Sequence, residues 1–228
     1  MKYLLTVVIA LLAGFAGAAA FNFSGLGHSQ TRDYLVANPD ILPEMAAAYQ
    51  SQEAQQKLAS IKGNVSQPFE GAVLGNPNGS KTLVKFTDYA CGYCRASVAD
   101  VDRLIAADPE LRVVVREWPI FDGSEAASRM GLAAAKQGKY NAYYHALFAL
   151  GQPTAENVAA AARTAGVDMN AARSYGQSDE VTAELARNDA MARQLGFTGT
   201  PSWVIGDLPF EGAVGYDQLA KYVEDADG

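Results

Sequence analysis

Two cysteines are all the thiols this 228-residue chain has, and they stand three positions apart in Cys91-Gly92-Tyr93-Cys94. Pairs that staple an exported fold usually join distant segments, because a longer closed loop removes more unfolded-state entropy. A bridge over two intervening residues closes a very short loop and stabilises little. The spacing therefore points to chemistry, a reversible exchange between dithiol and disulfide. Half a zinc site has the same spacing, but it needs a second cysteine pair or two histidines. His28 and His145 lie far apart in different segments. Ligand count argues against zinc, and no metal or cofactor is expected.

A thiol attacks as its thiolate, and at neutral pH an ordinary cysteine is mostly protonated. The elements around the pair supply what the charge needs. Lys81 to Thr87 (KTLVKFT) reads as a buried strand, and from Arg95 to Ala107 the residues Val98, Val101, Leu104 and Ile105 recur at helical spacing. Cys91 then sits where a strand gives way to a helix N-terminus, whose free N–H groups and dipole favour an anion. Cys94 lies one turn further in, so both sulfurs can meet on one face. Cys91 is expected to attack or be attacked, and Cys94 to resolve the mixed disulfide. Leu111 to Arg116 reads as a second strand, which makes a parallel strand–helix–strand crossover.

The rest of the chain frames this unit. Gly63 to Ser80 reads as loop with a short strand near Gly71 to Leu74. Residues 124–195 carry no strand signal and read as four or five helices, with Ser124, Thr154 and Ser178 as N-caps. Ser202 to Ile205 reads as a strand, residues 206–209 as a turn, Phe210 to Ala213 as its partner, and residues 216–226 as a closing helix. The order predicts an α/β, thioredoxin-like fold with an inserted helical domain.

The N-terminus is different. Lys2 is the only charge in the first twenty residues, Tyr3 to Ala16 is almost unbroken apolar, and Ala18-Ala19-Ala20 has small-residue spacing. Residues 1–20 read as a secretory signal peptide cut before Phe21, or else as an uncleaved anchor. Either way the remainder is placed outside the cytoplasm. Residues 21–30 read as linker and 31–62 as a helical extension, with Asn38 as cap, Pro39 in the first helical position, and Leu42, Met45 and Tyr49 on one face. So thin an apolar stripe either packs on the main domain or pairs with a second copy. The net charge of −7 argues against nucleic acid as a partner.

Three segments together resemble the DsbA-like branch of the thioredoxin superfamily: Phe86-Thr87-Asp88-Tyr89-Ala90-Cys91-Gly92-Tyr93-Cys94, Arg116-Glu117-Trp118-Pro119-Ile120, and Thr198-Gly199-Thr200-Pro201-Ser202-Trp203-Val204-Ile205-Gly206. The resemblance covers about residues 65–227, and Arg32 to Pro39 is similar to an N-terminal extension through which a few members oligomerise. It implies a periplasmic or cell-envelope protein that exchanges disulfides with protein thiols and is recycled by a redox partner, membrane-bound in some members. It also implies that Pro201 is a cis proline beside the cysteines. Strongly oxidising members carry His at the position of Tyr93 and Pro at that of Gly92; neither is present, which weighs against a very oxidising couple. Thr200 occurs before the cis proline in isomerases and reductases as well as in some oxidases.

Several other residues have a bland reading beside a functional one. Glu117, after an apolar strand, could move the Cys94 proton or simply be a strand-end acid, whereas Asp88 reads as a solvated or strand-end acid. Arg95 reads as surface, His145 as a packed helical histidine, and Trp118 and Trp203 as core. The expected activity is protein thiol–disulfide exchange, most simply oxidation of envelope proteins. The alternatives are an isomerase or reductase, and a non-catalytic copper-binding or holdase protein on the same fold.

Overall fold

β-Branched and aromatic residues concentrate in short runs, and each run becomes a strand of one sheet. The structure, a computed structural model, describes residues 2–23 and 26–226. Its strands are β1 (Val73–Gly75), β2 (Lys81–Thr87), β3 (Leu111–Glu117), β4 (Ser202–Ile205) and β5 (Leu208–Glu211), in the spatial order β1-β3-β2-β4-β5. β2 and β3 run parallel, with Lys85 opposite Val115 and Thr87 opposite Glu117, and the other pairs are antiparallel. The parallel pair is joined by α4 (Gly92–Ala107), as the crossover pattern requires.

Side chains alternate across the sheet. Leu83, Val113, Val115 and Trp203 face one core, together with α4 and with α5 (Glu125–Lys136), α6 (Tyr140–Leu150), α7 (Ala155–Thr164) and α8 (Met169–Gly176). Val84, Phe86, Val114 and Val204 face a second core, closed by α9 (Asp179–Leu195) and by Leu58, Ile61 and Val65 of α3 (Ile41–Val65). The closing helix is α10 (Tyr216–Asp225). Five inserted helices thus stand where four or five were expected.

Arg116, buried on the second face, donates to the carbonyls of Asn64, Val65 and Gln67 at the C-terminal end of α3 and to Glu184 at 2.9 Å. Helix ends leave carbonyls without partners, so this guanidinium supplies what the last turn of α3 lacks.

The chain divides into two compact units, residues up to Gln50 and residues from Ser51 onward. The first contains α1 (Lys2–Phe23), α2 (Leu26–Ala37) and the start of α3. Among the described residues, no helix is long and apolar enough to cross a membrane.

Several expectations change. Phe21 to Phe23 and Leu26 onward are helical rather than linker, and positions 24 and 25 lie outside the described residues. The helix read through 31–62 breaks at residues 38–40. Asn38 ends α2, its amide donating to Tyr34 O at 2.8 Å, and Pro39 belongs to the turn instead of opening a helix. Pro43 is tolerated in the first turn of α3, where no N–H is needed. Thr154 and Ser178 do cap α7 and α9, but Ser124 makes no cap bond. Its hydroxyl goes to Asp88 instead. The last hairpin turns two residues early, at Gly206-Asp207, so β5 begins at Leu208.

Candidate active site

The strand β2 delivers the chain to the site, and a buried acid fixes the exit. Asp88 is fully buried, not solvated, and stands at the end of β2. One oxygen accepts from Ala90 N at 2.7 Å; the other accepts from Ile120 N, Phe121 N and Ser124 Oγ at 2.7, 2.9 and 2.7 Å. The turn before Cys91 and the loop after β3 are thereby held together. This is the structural reading of Asp88, with four donors explaining its burial.

Cys91 is the N-cap of α4, whose first residue, Gly92, comes three positions before Arg95, where the helical spacing begins. Both sulfurs are free thiols, and both residues are buried. Cys91 Sγ accepts from Cys94 N at 3.4 Å, and as a thiol it donates to Thr200 O at 3.1 Å. The Thr200–Pro201 bond is cis, as the resemblance implied. Gly92 and Tyr93 sit in the exposed first turn, with Tyr93 70% exposed. Tyr93 thus borders the site with its side chain largely in solvent. Around Gly92, a Cβ would meet nothing within 4 Å.

The two thiols are strongly unequal. The Cys91 thiol is brought down from 9.0 to about 5: the Cys94 thiol donating to it is the largest cause, burial opposes, and the Thr200 side chain and the N–H groups of Cys94 and Tyr93 add to the fall. Cys94 is pushed well above the ordinary thiol range by burial and by its bond to Cys91, against the charge of Lys85. One sulfur is therefore a thiolate at neutral pH; the other is a retained thiol. This asymmetry arises without a cation at Tyr93.

Beneath the pair lie two buried ionisable groups. Glu117 accepts from Tyr140 Oη at 2.7 Å, Tyr89 Oη at 2.8 Å and Ser128 Oγ at 2.8 Å, and burial still lifts its carboxyl to about 7. The site depends on Gly131 of α5, where a Cβ would come within 3.0 Å of Glu117 Oε1 and 3.1 Å of Tyr89 Oη. Glu117 is a neighbour of the cysteine layer, but its bonds go to hydroxyls, not to sulfur.

Lys85, which the sequence reading passed over as part of a strand, is fully buried on the cysteine-facing side of β2. Its Nζ donates to Tyr144 Oη at 2.7 Å and to Cys94 O at 3.5 Å, and lies 5.3 to 5.8 Å from the ring centres of Trp203, Tyr144 and Phe148. Burial brings its amine down to about 8, partly countered by the charges of Cys94, Asp102 and Cys91. The signal was present: a lysine in the middle of a strand covered on both faces cannot reach water. Arg95 is half-buried rather than surface, with Nε and Nη2 lacking partners. His145 bridges Asn141 O and Asp102, and Trp118 and Trp203 are core.

Known proteins place this geometry. The model of the DSBA-like thioredoxin domain matches residues 82–224, and that of the copper resistance protein ScsC N-terminal domain matches residues 31–56. No curated protein matches. Among solved structures, a thioredoxin-like oxidoreductase from Silicibacter pomeroyi is 44% identical, with 68% of this chain and 91% of that one covered at a TM-score of 0.65. The thiol-disulfide exchange protein alpha-DsbA2 from Wolbachia pipientis is 26% identical, with 75% and 95% covered at 0.68. A periplasmic thioredoxin-like protein from Salmonella enterica serovar Typhimurium is 25% identical, with 73% and 95% covered at 0.63. With more than half its length matched by one domain model and both cysteines and the cis proline inside that span, the chain belongs to the DsbA-like thioredoxin domain family.

Proposed function

We propose that this chain is an exported protein thiol–disulfide oxidoreductase that oxidises thiols of envelope proteins. The observation that carries the direction is the low pKa of Cys91 beside a retained Cys94 thiol. A substrate thiolate attacks Cys91 Sγ of the Cys91–Cys94 disulfide; that S–S bond breaks, its electron pair goes to Cys94 Sγ, and Cys94 takes a proton. A second substrate thiolate then attacks the substrate sulfur of the mixed disulfide. Cys91 leaves as a thiolate, and low thiol pKa makes a fast leaving group. The substrate gains a disulfide, and the chain is left reduced by two electrons until a redox partner reoxidises it. Export is supported by the apolar segment ahead of Ala18-Ala19-Ala20 and by the periplasmic description of the Salmonella relative.

Equilibration with glutathione tests the direction. The couple is expected above about −200 mV, on the oxidising side of the range such couples span. A value near about −270 mV would instead make the protein a reductase. Cys91→Ser is expected to abolish both oxidation of reduced substrates and insulin reduction, and unchanged activity in both assays would remove thiol exchange altogether.

A second reading concerns the segment 31–62. Its two halves differ: Leu58 and Ile61 belong to the sheet core, while Tyr34, Val36, Leu42, Met45 and Tyr49 are exposed. We infer that the exposed half pairs with a second copy of this chain, since burying each large apolar side chain is worth about 1.5–3 kcal/mol. Changing Leu42, Met45 and Tyr49 together to Ser is expected to give a smaller species in light scattering. An unchanged mass would end the idea.

A further inference from the structure

Glu211, the last residue of β5, stands opposite Ser202 in the hairpin register, one residue beyond the cis proline. Its side chain is exposed, yet it turns back over the loop that leads into Pro201. Oε1 accepts from Thr198 N at 2.5 Å and from Gly199 N at 3.2 Å, and lies 3.4 Å from Ser202 Oγ. The Thr198 hydroxyl donates to the same carboxylate at 3.3 and 3.4 Å. Ser202 Oγ also donates to Gly199 O at 2.6 Å, and Gly212 N donates to Pro201 O at 2.8 Å. The loop is thus fastened on both sides of Thr200, by the side chain of Glu211 before it and by the backbone of the next residue after it.

Thr200 is what this fastening presents to the sulfur. Its carbonyl lies 3.1 Å from Cys91 Sγ. Its hydroxyl is buried and has no partner while Cys91 is a thiol. A carboxylate that accepts two successive backbone N–H groups is a strong acceptor, because charge-assisted hydrogen bonds are about twice as strong as neutral ones. We propose that Glu211 is a positioning residue of the exchange reaction, a latch that holds Thr200 against Cys91 so that its hydroxyl can donate to the thiolate. Its carboxylate bonds to the loop and not to either sulfur.

The sign of its effect separates this role from two simpler ones. If Glu211 acted through charge alone, removing the carboxylate would make the Cys91 thiolate easier to form, because a nearby negative charge opposes another. If it were only a fold stabiliser, its loss would lower the melting temperature and leave Cys91 alone. The latch predicts the opposite of the charge effect. A freed Thr200 withdraws a charge-assisted donor from the thiolate and only a weak S–H bond from the thiol, so the thiolate becomes harder to form. Glutamine keeps an acceptor oxygen for both N–H groups while losing the charge, and should preserve the latch.

The test is the pH dependence of Cys91 alkylation by iodoacetamide in the reduced full chain, with Cys94 too buried to compete. Glu211→Ala is expected to lower the rate near pH 5 by about tenfold, the worth of roughly one charge-assisted hydrogen bond. Glu211→Gln is expected to stay within about twofold of the parent. A faster Ala variant, an unchanged one, or equal shifts in Ala and Gln each overturn the latch. The consequence for turnover rests on the disulfide-exchange reading, but this titration does not: it needs no substrate protein. Failure of the Cys91→Ser activity test would remove the function and leave the latch standing, and an unmoved titration would do the reverse.

Discussion

Cys94→Ser is expected to convert the protein into a trap. The nucleophile survives the change: Cys91 keeps its N-cap position, the N–H groups of Tyr93 and Cys94, and Thr200 beside it. A serine hydroxyl can also replace the donor that the Cys94 thiol provides, so the Cys91 thiolate still forms and still attacks disulfides. What is lost is the partner sulfur. A serine oxygen can neither form with Cys91 the disulfide that oxidises a substrate nor displace a substrate thiolate from the mixed disulfide, so Cys91 stays bonded to a partner until a second thiol of that partner releases it. Turnover is expected to fall at least about a thousandfold, as it does when one member of an interdependent catalytic set is removed. Adducts that disappear on adding dithiothreitol are expected on non-reducing gels, and their masses would name the clients. Retained turnover without such adducts would show that Cys94 does not resolve, and the division of labour between the two sulfurs would fail with it.

Much of this site was legible in the sequence because its parts are local. β2 runs from Lys81 to Thr87 as read, and α4 follows within five residues, so Cys91 falls at a helix N-terminus by chain order alone. Pro201 is far away in sequence, and only the resemblance of the segment around it brought it to the cysteines. What the sequence hid depends on packing. The break at Asn38 to Asp40 was marked in the sequence by Asn38 and Pro39, but a cap and a first-turn proline fit the start of a helix as well as the turn between two, and only the bond from the Asn38 amide back to Tyr34 O decides for the turn. Glu211 gave no signal at all, since its meaning lies in a hairpin register two residues from the expected one. Ser124 looked like a cap by residue type, but Asp88 offered its hydroxyl a stronger, charged acceptor. Lys85, in contrast, was legible from the strand pattern alone. Once both faces of β2 were read as buried, its ammonium had no route to solvent, and a buried cation has to be paired, shifted or used.

The use follows from the difficulty at Cys94. Its buried thiol holds its proton tightly, yet in each cycle Cys94 must leave as, or attack as, a thiolate. Lys85, with its amine near 8, is the adjacent group that can exchange that proton at neutral pH. When Cys94 attacks, the neutral amine is expected to take the proton, and when Cys94 leaves, the ammonium is expected to return it. Lys85→Met keeps the apolar stem and removes this function, at the cost of the bond to Tyr144. The cleanest measurement starts from the mixed disulfide of Cys91 with thionitrobenzoate and follows release of the coloured thiolate, a single turnover that depends on Cys94 alone. In the parent chain the rate should rise with pH and level off through about 8, as the amine becomes neutral. In Lys85→Met the plateau should disappear, and at pH 7 release should be about a hundredfold slower, the lower range for a lost general base. Cys91 should remain as reactive as before, since its low pKa is set first by Cys94, Thr200 and the helix N–H groups. A release rate within about twofold of the parent across the pH range would mean that Cys94 loses its proton directly to water, and that the lysine serves packing rather than exchange.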